Sequence, residues 1–197
     1  MAVPTRISGL LLAAGLGKRL GGGKLAETHQ DRTLAQWSLA PLQAVGLDAV
    51  VIVTGPGDAP RLFPDAEAVT VVENRNPEDG LASSLRLGLE AQPPASLAVL
   101  IALADMPLVK AQTLQTLIEA WRPDCAAVVP IWKAMRGNPV LADLRWAVRI
   151  ADQLAGDQGL GAALNGLEDG LIKVEVDDRG VLFDVDTPDD LKLWRSR

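Results

Sequence analysis

The chain is poor in the residues that carry most covalent and metal chemistry, with one cysteine, Cys125, and one histidine, His29. A lone cysteine closes no intrachain disulfide and builds no thiolate zinc site. A lone histidine removes every two-histidine metal centre. The apolar neighbours of Cys125, Ala126 to Val129, mark it as a buried strand thiol rather than a nucleophile. A hydrolase triad lacks support as well, because no G-x-S-x-G elbow accompanies His29, which reads as an exposed loop residue. No run of about 18 apolar residues is available to cross a bilayer, and the N-terminus lacks a signal-peptide layout, so a cytoplasmic location is expected. Basic residues are outnumbered, 19 Lys and Arg against 25 Asp and Glu, for a net charge of −6. Nucleic acid and anionic membranes need a basic face, which argues against both as partners. Repeats, linkers and low-complexity segments are also missing. The 197 residues are therefore expected to form a single domain, 1–197.

What the chain does have is glycine in one place. An apolar run, residues 7–13, reads as a buried strand and gives way to Gly15, Gly17, Gly21, Gly22 and Gly23. Glycines there let the backbone close on a ligand and leave a concavity of N–H donors. Lys18, Arg19 and Lys24 add positive charge to the loop, a combination suited to a polyphosphate. A Walker A loop is excluded: with Gly23-Lys24 as its G-K pair, the first glycine would fall on Lys18, and Leu25 replaces the Ser or Thr. Gly15, Gly17 and Gly21 are spaced one residue too widely for the dinucleotide fingerprint, and no acidic residue is placed to take a ribose. The plain alternative is a glycine-rich surface turn with solvated cations.

Along the chain, apolar spacing predicts a helix over residues 33–45 ended by Gly46, a strand over 49–53, a short helical segment at 59–62 and a strand over 69–72. Residues 80–89 read as a helix with Ser83 and Ser84 in its first turn, where free N–H groups and hydroxyls can meet a ligand or simply cap the helix. Residues 97–103 form the most continuous apolar run, read as a central strand that ends at Asp105. A carboxylate there shares a sheet edge with the glycine loop and is placed to carry Mg2+ beside bound phosphates. Beyond it are expected a helix at 110–121, a strand at 125–131, a loop from Arg136 into a short extended piece, helices at 144–154 and 160–164, and closing strands at 171–176 and 181–183. Thr187 and Pro188 have the chemistry of an N-cap and first helical residue. Asp184 and Asp186, alternate residues of the expected last strand, share a face and have no capping role.

The loop from Leu12 to Lys24 resembles the L-A-A-G-x-G-x-R-[ML]-G-x-x-K signature of nucleotidyltransferases, most closely those that act on the molybdenum cofactor as cytidylyl- or guanylyltransferases. Further segments match in family order: Gly80 to Gly88 is similar to G-L-A-S-S-L-R-x-G, residues 103–109 to L-x-D-M-P-L-V, 137–141 to G-x-P-V-L, and 184–190 to D-I-D-T-P-x-D. The resemblance implies a Rossmann-like three-layer α/β/α nucleotidyltransferase fold with a mostly parallel sheet. It implies transfer of a nucleoside monophosphate from an NTP to a phosphorylated acceptor, with pyrophosphate released and Mg2+ as cofactor. Carried onto this chain, Leu12, Ala13, Ala14 and Gly15 would touch the base, with Gly17 and Lys18 completing the nucleotide loop. Arg19 and Lys24 would hold the triphosphate and, with Asp105, serve catalysis. Gly80, Ser83 and Ser84 would lie by the base or ribose, and Asp105 and Asp186 would bind the metal. Arg136, Gly137, Asn138 and Asp157 would face the acceptor.

The Ala13-Ala14-Gly15 form resembles the cytidylyl branch and favours CTP over GTP. The implied partners are the nucleotide and a molybdopterin-type cofactor, with a molybdoenzyme or its chaperone as a further candidate. The match departs from the family at three points. Asn76-Pro77-Glu78-Asp79-Gly80 is shorter than N-P-x-W-x-x-G and lacks the aromatic, Asn138 stands where relatives often have His, and Gly161 stands where they often have Arg. Guanylyl transfer, a sugar phosphate, polyol phosphate or phospholactate-like acceptor, and a non-catalytic nucleotide-binding accessory protein remain the alternatives.

Overall fold

The computed structural model describes residues 6–15, 22–64, 68–167 and 169–197. Gly17, Lys18, Arg19 and Gly21 of the glycine loop lie outside the described residues. Strand β1 spans Ile7–Ala13. A small hairpin of β2 (Thr28–His29) and β3 (Arg32–Thr33) leads into α1 (Leu34–Ala44), then β4 (Val50–Thr54), α2 (Ala59–Leu62) and β5 (Thr70–Glu73). Helix α3 (Leu81–Glu90), β6 (Ala98–Leu103), α4 (Ala111–Ala120), β7 (Ala127–Trp132), β8 (Met135–Arg136) and β9 (Val140–Asp143) follow. The chain closes with α5 (Leu144–Ala151), α6 (Leu160–Leu164), β10 (Leu171–Glu175) and α7 (Pro188–Arg195).

Local chemistry accounts for the helix ends. The Thr33 hydroxyl accepts from the Gln36 N–H at 3.0 Å while the Gln36 side chain accepts from the Thr33 N–H at 2.8 Å, a capping box that starts α1. Thr187 and Asp190 make the same reciprocal pair at the start of α7, with Pro188 as its first residue.

The strands lie in the order β5, β4, β1, β6, β9, β7, β10, with β8 paired on β7. β1 is parallel to both β4 and β6, and β5 is parallel to β4. The chain steps outward from β1 to β5 and then returns to the other side of β1, which makes the β1–β6 boundary the topological switch point. Helices cover both faces. Ile7, Leu11 and Ala13 pack with α1, α4 and Trp194 of α7, whereas Leu10 and Leu12 pack with α3, α5 and α6. That double burial explains why β1 and β4 read as predominantly apolar runs rather than alternating ones. The expected three-layer α/β/α fold with a mostly parallel sheet is the one observed.

The expected short extended piece after Asn138 is β9, which runs antiparallel between β6 and β7 inside the sheet. Four local expectations are corrected. Residues 181–183 do not form a strand, because Arg179–Leu182 is a 3-10 turn. The buried Asp178 carboxylate accepts from the Gly180 N–H, the Lys110 N–H and the Thr113 hydroxyl, and Gly180 lies against the Leu108 carbonyl, so the chain is bent where pairing would need it extended. Asp184 and Asp186 therefore owe their position to a coil segment and not to strand alternation. His29 is half-buried rather than exposed, stacked on Trp37 and edge-on to Trp194. Finally, α5 stops at Ala151, where the Arg86 guanidinium takes the carbonyls of Ala151 and Leu154 at 3.1 and 2.9 Å.

Cys125 precedes β7 and is buried, and burial pushes its thiol pKa up, as expected of an inert thiol. Among the described residues no helix is long and apolar enough to cross a membrane.

Candidate active site

Two backbone hydrogen bonds and one from a serine hydroxyl bring the candidate side chains to the carboxyl edge of β1 and β6. The Ala104 N–H donates to the Leu12 carbonyl at 3.1 Å, extending the β1–β6 pairing to the last turn before Asp105. The Ser38 hydroxyl of α1 donates to the Ala104 carbonyl at 2.8 Å. The Val185 N–H donates to the Asp105 carbonyl at 2.9 Å, which draws the 184–186 segment alongside. The Asp186 N–H is held in turn by the Asp190 carboxylate of the α7 capping box. Pairing of β6 ends at Leu103, and the Asp105 side chain faces the switch-point crevice.

Lys24 enters this crevice from the far end of the glycine loop. Gly22 and Gly23 have φ of +87° and +76°, a left-handed path that side-chain-bearing residues rarely take, and they turn the chain so that Lys24 opens a 3-10 turn, Lys24–Ala26. Only 9% of the lysine is exposed. Its ammonium donates to Asp105 Oδ2 at 2.9 Å and to Asp186 Oδ1 at 2.7 Å. Burial by itself would lower the ammonium pKa, but the charge of Asp105 and the hydrogen bonds to both carboxylates outweigh it, leaving the pKa above its ordinary value. Asp184 lies close enough that burial, together with the charges of Asp186 and Asp105, raises its carboxyl pKa.

The donor set suits a divalent cation. Asp105 Oδ1 is buried and has no hydrogen-bond partner among the described residues, an oxygen with unused capacity beside a second carboxylate. Among the described residues no group of three or more His, Cys, Asp or Glu could hold a metal. A cation there would take its remaining oxygens from phosphate and water, the mode magnesium favours.

A second cluster surrounds the start of α3. Asn74, buried just past β5, donates through Nδ2 to the hydroxyls of Ser83 and Ser84, both at 2.9 Å, and its Oδ1 accepts from the Asn76 N–H at 3.0 Å. The expected free N–H groups are partly taken: Ala82 N–H donates to the Gly156 carbonyl at 3.0 Å and Ser83 N–H to the Gly80 carbonyl at 3.3 Å. Asp157 is exposed in the loop that docks against Gly80.

Between α3, α6 and the sheet lies a cavity of about 200 Å3, lined mainly by Leu12, Leu81, Leu103 and Leu160, with Asn138 and Gly161 at its polar edge. The Arg136 guanidinium donates to the Gly161 carbonyl at 2.9 Å, and Gly137 packs tightly on Val181. The structure thus gathers Leu12, Lys24, Asp105 and Asp186 at one crevice. Gly80, Ser83, Ser84 and Asp157 sit at a neighbouring helix start, and Arg136 and Asn138 by the cavity. Sequence reasoning missed Asn74 and Gly156. Asn74 follows a strand at the carboxyl edge of the sheet, a signal that could have drawn attention to it; Gly156 acts through its carbonyl and leaves no side-chain signal.

A doubly wound sheet with a glycine loop, a buried lysine and two carboxylates at its switch point defines a nucleotide-handling α/β enzyme of the transferase kind. The chain belongs to the family of MobA-like NTP transferase domains, whose model matches residues 9–171. It is 30% identical over 189 residues, 92% of each chain, to nicotine blue oxidoreductase of Paenarthrobacter nicotinovorans. Rv0371c of Mycobacterium tuberculosis superposes with a TM-score of 0.81 at 28% identity, over 97% of this chain and 98% of that one. That protein has also been solved in complex with manganese. A nucleotidyl transferase from Methanothermobacter thermautotroptrophicus superposes with a TM-score of 0.81 at 26% identity, over 96% of both chains.

Proposed function

We propose that this nucleotidyltransferase moves CMP from CTP to a molybdopterin-type cofactor and releases pyrophosphate, with Mg2+ as the divalent ion. The observation that carries the reading is the ammonium of Lys24 set between Asp105 and Asp186 at the switch point. Joining an acceptor phosphate to the α-phosphorus brings two anions together, so the work of the site is positioning and charge neutralisation. Neither a covalent nucleophile nor a histidine base is needed. Asp105 and Asp186 would hold the cation, which supplies charge neutralisation at the phosphates. Lys24 and Arg19 bind triphosphate oxygens, the backbone of Leu12, Ala13, Ala14 and Gly15, with Gly17 and Lys18 beside it, cradles the nucleotide, and Gly80, Ser83 and Ser84 border its base or ribose.

On the acceptor side stand Arg136, Gly137, Asn138 and Asp157, with the cavity lined by Leu81 and Leu160 to receive an apolar ring face. Ala14, which follows Ala13 in the cytidylyl pattern, supports CTP over GTP. The manganese-bound structure of Rv0371c is consistent with a divalent ion in this fold. A second reading is favoured by the 30% identity to an oxidoreductase that acts on nicotine blue: the apolar cavity would then receive a planar aromatic for reduction. Pyrophosphate release with Mg2+ and each of CTP, GTP, ATP and UTP, with and without molybdenum cofactor, tests the first reading. Release with CTP only when cofactor is present supports it. Silence with every nucleotide, together with loss of nicotine blue colour in the presence of a reduced nicotinamide or flavin donor, replaces it with the second.

A further inference from the structure

We infer that Lys24 is a built-in occupant of the cation site, and that nucleotide must draw it away before a divalent ion binds tightly. The inference rests on the reading of Asp105 and Asp186 as the cation's ligands and adds an order of binding to it.

The geometry carries the argument. The ammonium bridges Asp105 Oδ2 and Asp186 Oδ1 at 2.9 and 2.7 Å, the place a divalent ion joining the two carboxylates would take. A cation that used the other Asp105 oxygen, Oδ1, would still share both carboxylates with the ammonium that bridges them. A divalent ion on the same two carboxylates would be set beside the ammonium that already bridges them. Two like charges in a largely buried crevice repel strongly, and both cannot keep these oxygens.

Lys24 also has a partner in a bound triphosphate. It ends the glycine loop whose N–H donors suit a polyphosphate, and a triphosphate brings enough negative charge to attract the ammonium away from the carboxylates. The left-handed pair Gly22 and Gly23 directly before it lets the backbone follow. Nucleotide binding thereby draws the ammonium off both carboxylates as the metal arrives with the phosphates. Metal and nucleotide are coupled through one side chain, and the coupling is reciprocal.

The experiment is Mn2+ binding to the purified full chain, followed by the loss of the free-ion paramagnetic resonance signal, with and without a non-hydrolysable CTP analogue. Lys24→Met, Lys24→Arg and Asp105→Asn are compared with the unaltered protein. Expected is weak Mn2+ binding alone, tightened about tenfold or more by the analogue. Lys24→Met binds Mn2+ alone about tenfold more tightly than the unaltered protein, and the analogue adds little. Lys24→Arg, which keeps the charge, stays weak. Thermal denaturation gives a second readout that tolerates a destabilised variant: Mn2+ raises the Tm of Lys24→Met more than that of the unaltered protein. Equal Mn2+ affinity of the unaltered protein and Lys24→Met, with Asp105→Asn weaker than both, overturns the inference and leaves the metal site standing. Mn2+ affinity indifferent to Asp105→Asn overturns the underlying site reading as well.

Discussion

Gly80 and Gly156 meet backbone to backbone: a Cβ on residue 80 would fall on the carbonyl of Gly156, and the N–H of Ala82 donates to that same carbonyl at 3.0 Å. With φ at +87°, residue 80 is also in a conformation that side chains resist. Gly80→Ala should therefore separate the α3 start from the 155–159 loop and cost roughly 1–3 kcal/mol. Urea denaturation measures the loss. A rise in KM for nucleotide larger than any fall in kcat would show that the junction shapes the base side of the site.

Asn74 is a buried amide that orders two serine hydroxyls at once. Asn74→Ala leaves Ser83 and Ser84 without that donor and is expected to cost about 1–3 kcal/mol in stability. Asn74→Asp keeps the size but exchanges the donor for a charge, and should be the more damaging of the two for nucleotide affinity. Isothermal titration with CTP separates the variants; equal affinity in both would remove Asn74 from the site.

Asp105→Asn retains shape and removes charge at the crevice. Pyrophosphate release should fall by about a hundredfold or more, the scale set by losing a preorganised electrostatic group, while circular dichroism remains unchanged. Activity within a few fold of the unaltered protein would move the reaction away from this crevice.

The Lys24 pair has a defined pH window. Its folded pKa is raised above the usual 10.5, so its contribution to stability is complete below that value and fades only as pH rises through the higher folded pKa. The stability gap between the unaltered protein and Lys24→Met should be flat from pH 7 to about 10 and narrow above it. A gap that closes near neutrality would show that the ammonium is not held by the carboxylates.

Asp184 has the opposite sign. Burial and the charges of Asp186 and Asp105 raise its pKa above the usual 3.8, so its ionised form opposes folding at neutral pH and ceases to do so as pH falls through the raised value. Because the carboxyl group is only partly withdrawn from solvent and the side chain is largely exposed, Asp184→Asn should raise Tm at pH 7 by only about a degree or two, and the gain should vanish in acid. Differential scanning calorimetry at pH 7 and pH 3.5 reads both.

The sequence by itself determined the layers and the edge on which the candidate site sits. Strands β1, β4 and β6 are buried on both faces and therefore spell predominantly apolar runs, and the caps at Thr33 and Thr187 act on neighbours three residues away. Helix punctuation and strand runs are local, so single residues announce them. The identities of Lys24, Asp105 and Asp186 were likewise legible, since a charged residue next to a glycine loop or at the end of an apolar run stands out from its surroundings.

Only the tertiary structure decided how these residues meet. Asp186 reaches Lys24 across 162 residues of chain because Val185 is hydrogen-bonded to Asp105 and residues 179–182 turn about Asp178, where local pattern reads a strand. The antiparallel course of β9 between β6 and β7 depends on partners distant in sequence. The contact of Gly80 with the Gly156 carbonyl and the placement of Asn74 beneath two serines are backbone and packing relations with no periodicity to betray them. Long-range pairing is set by the free energy of the whole packed sheet, and no window of neighbouring residues contains that information.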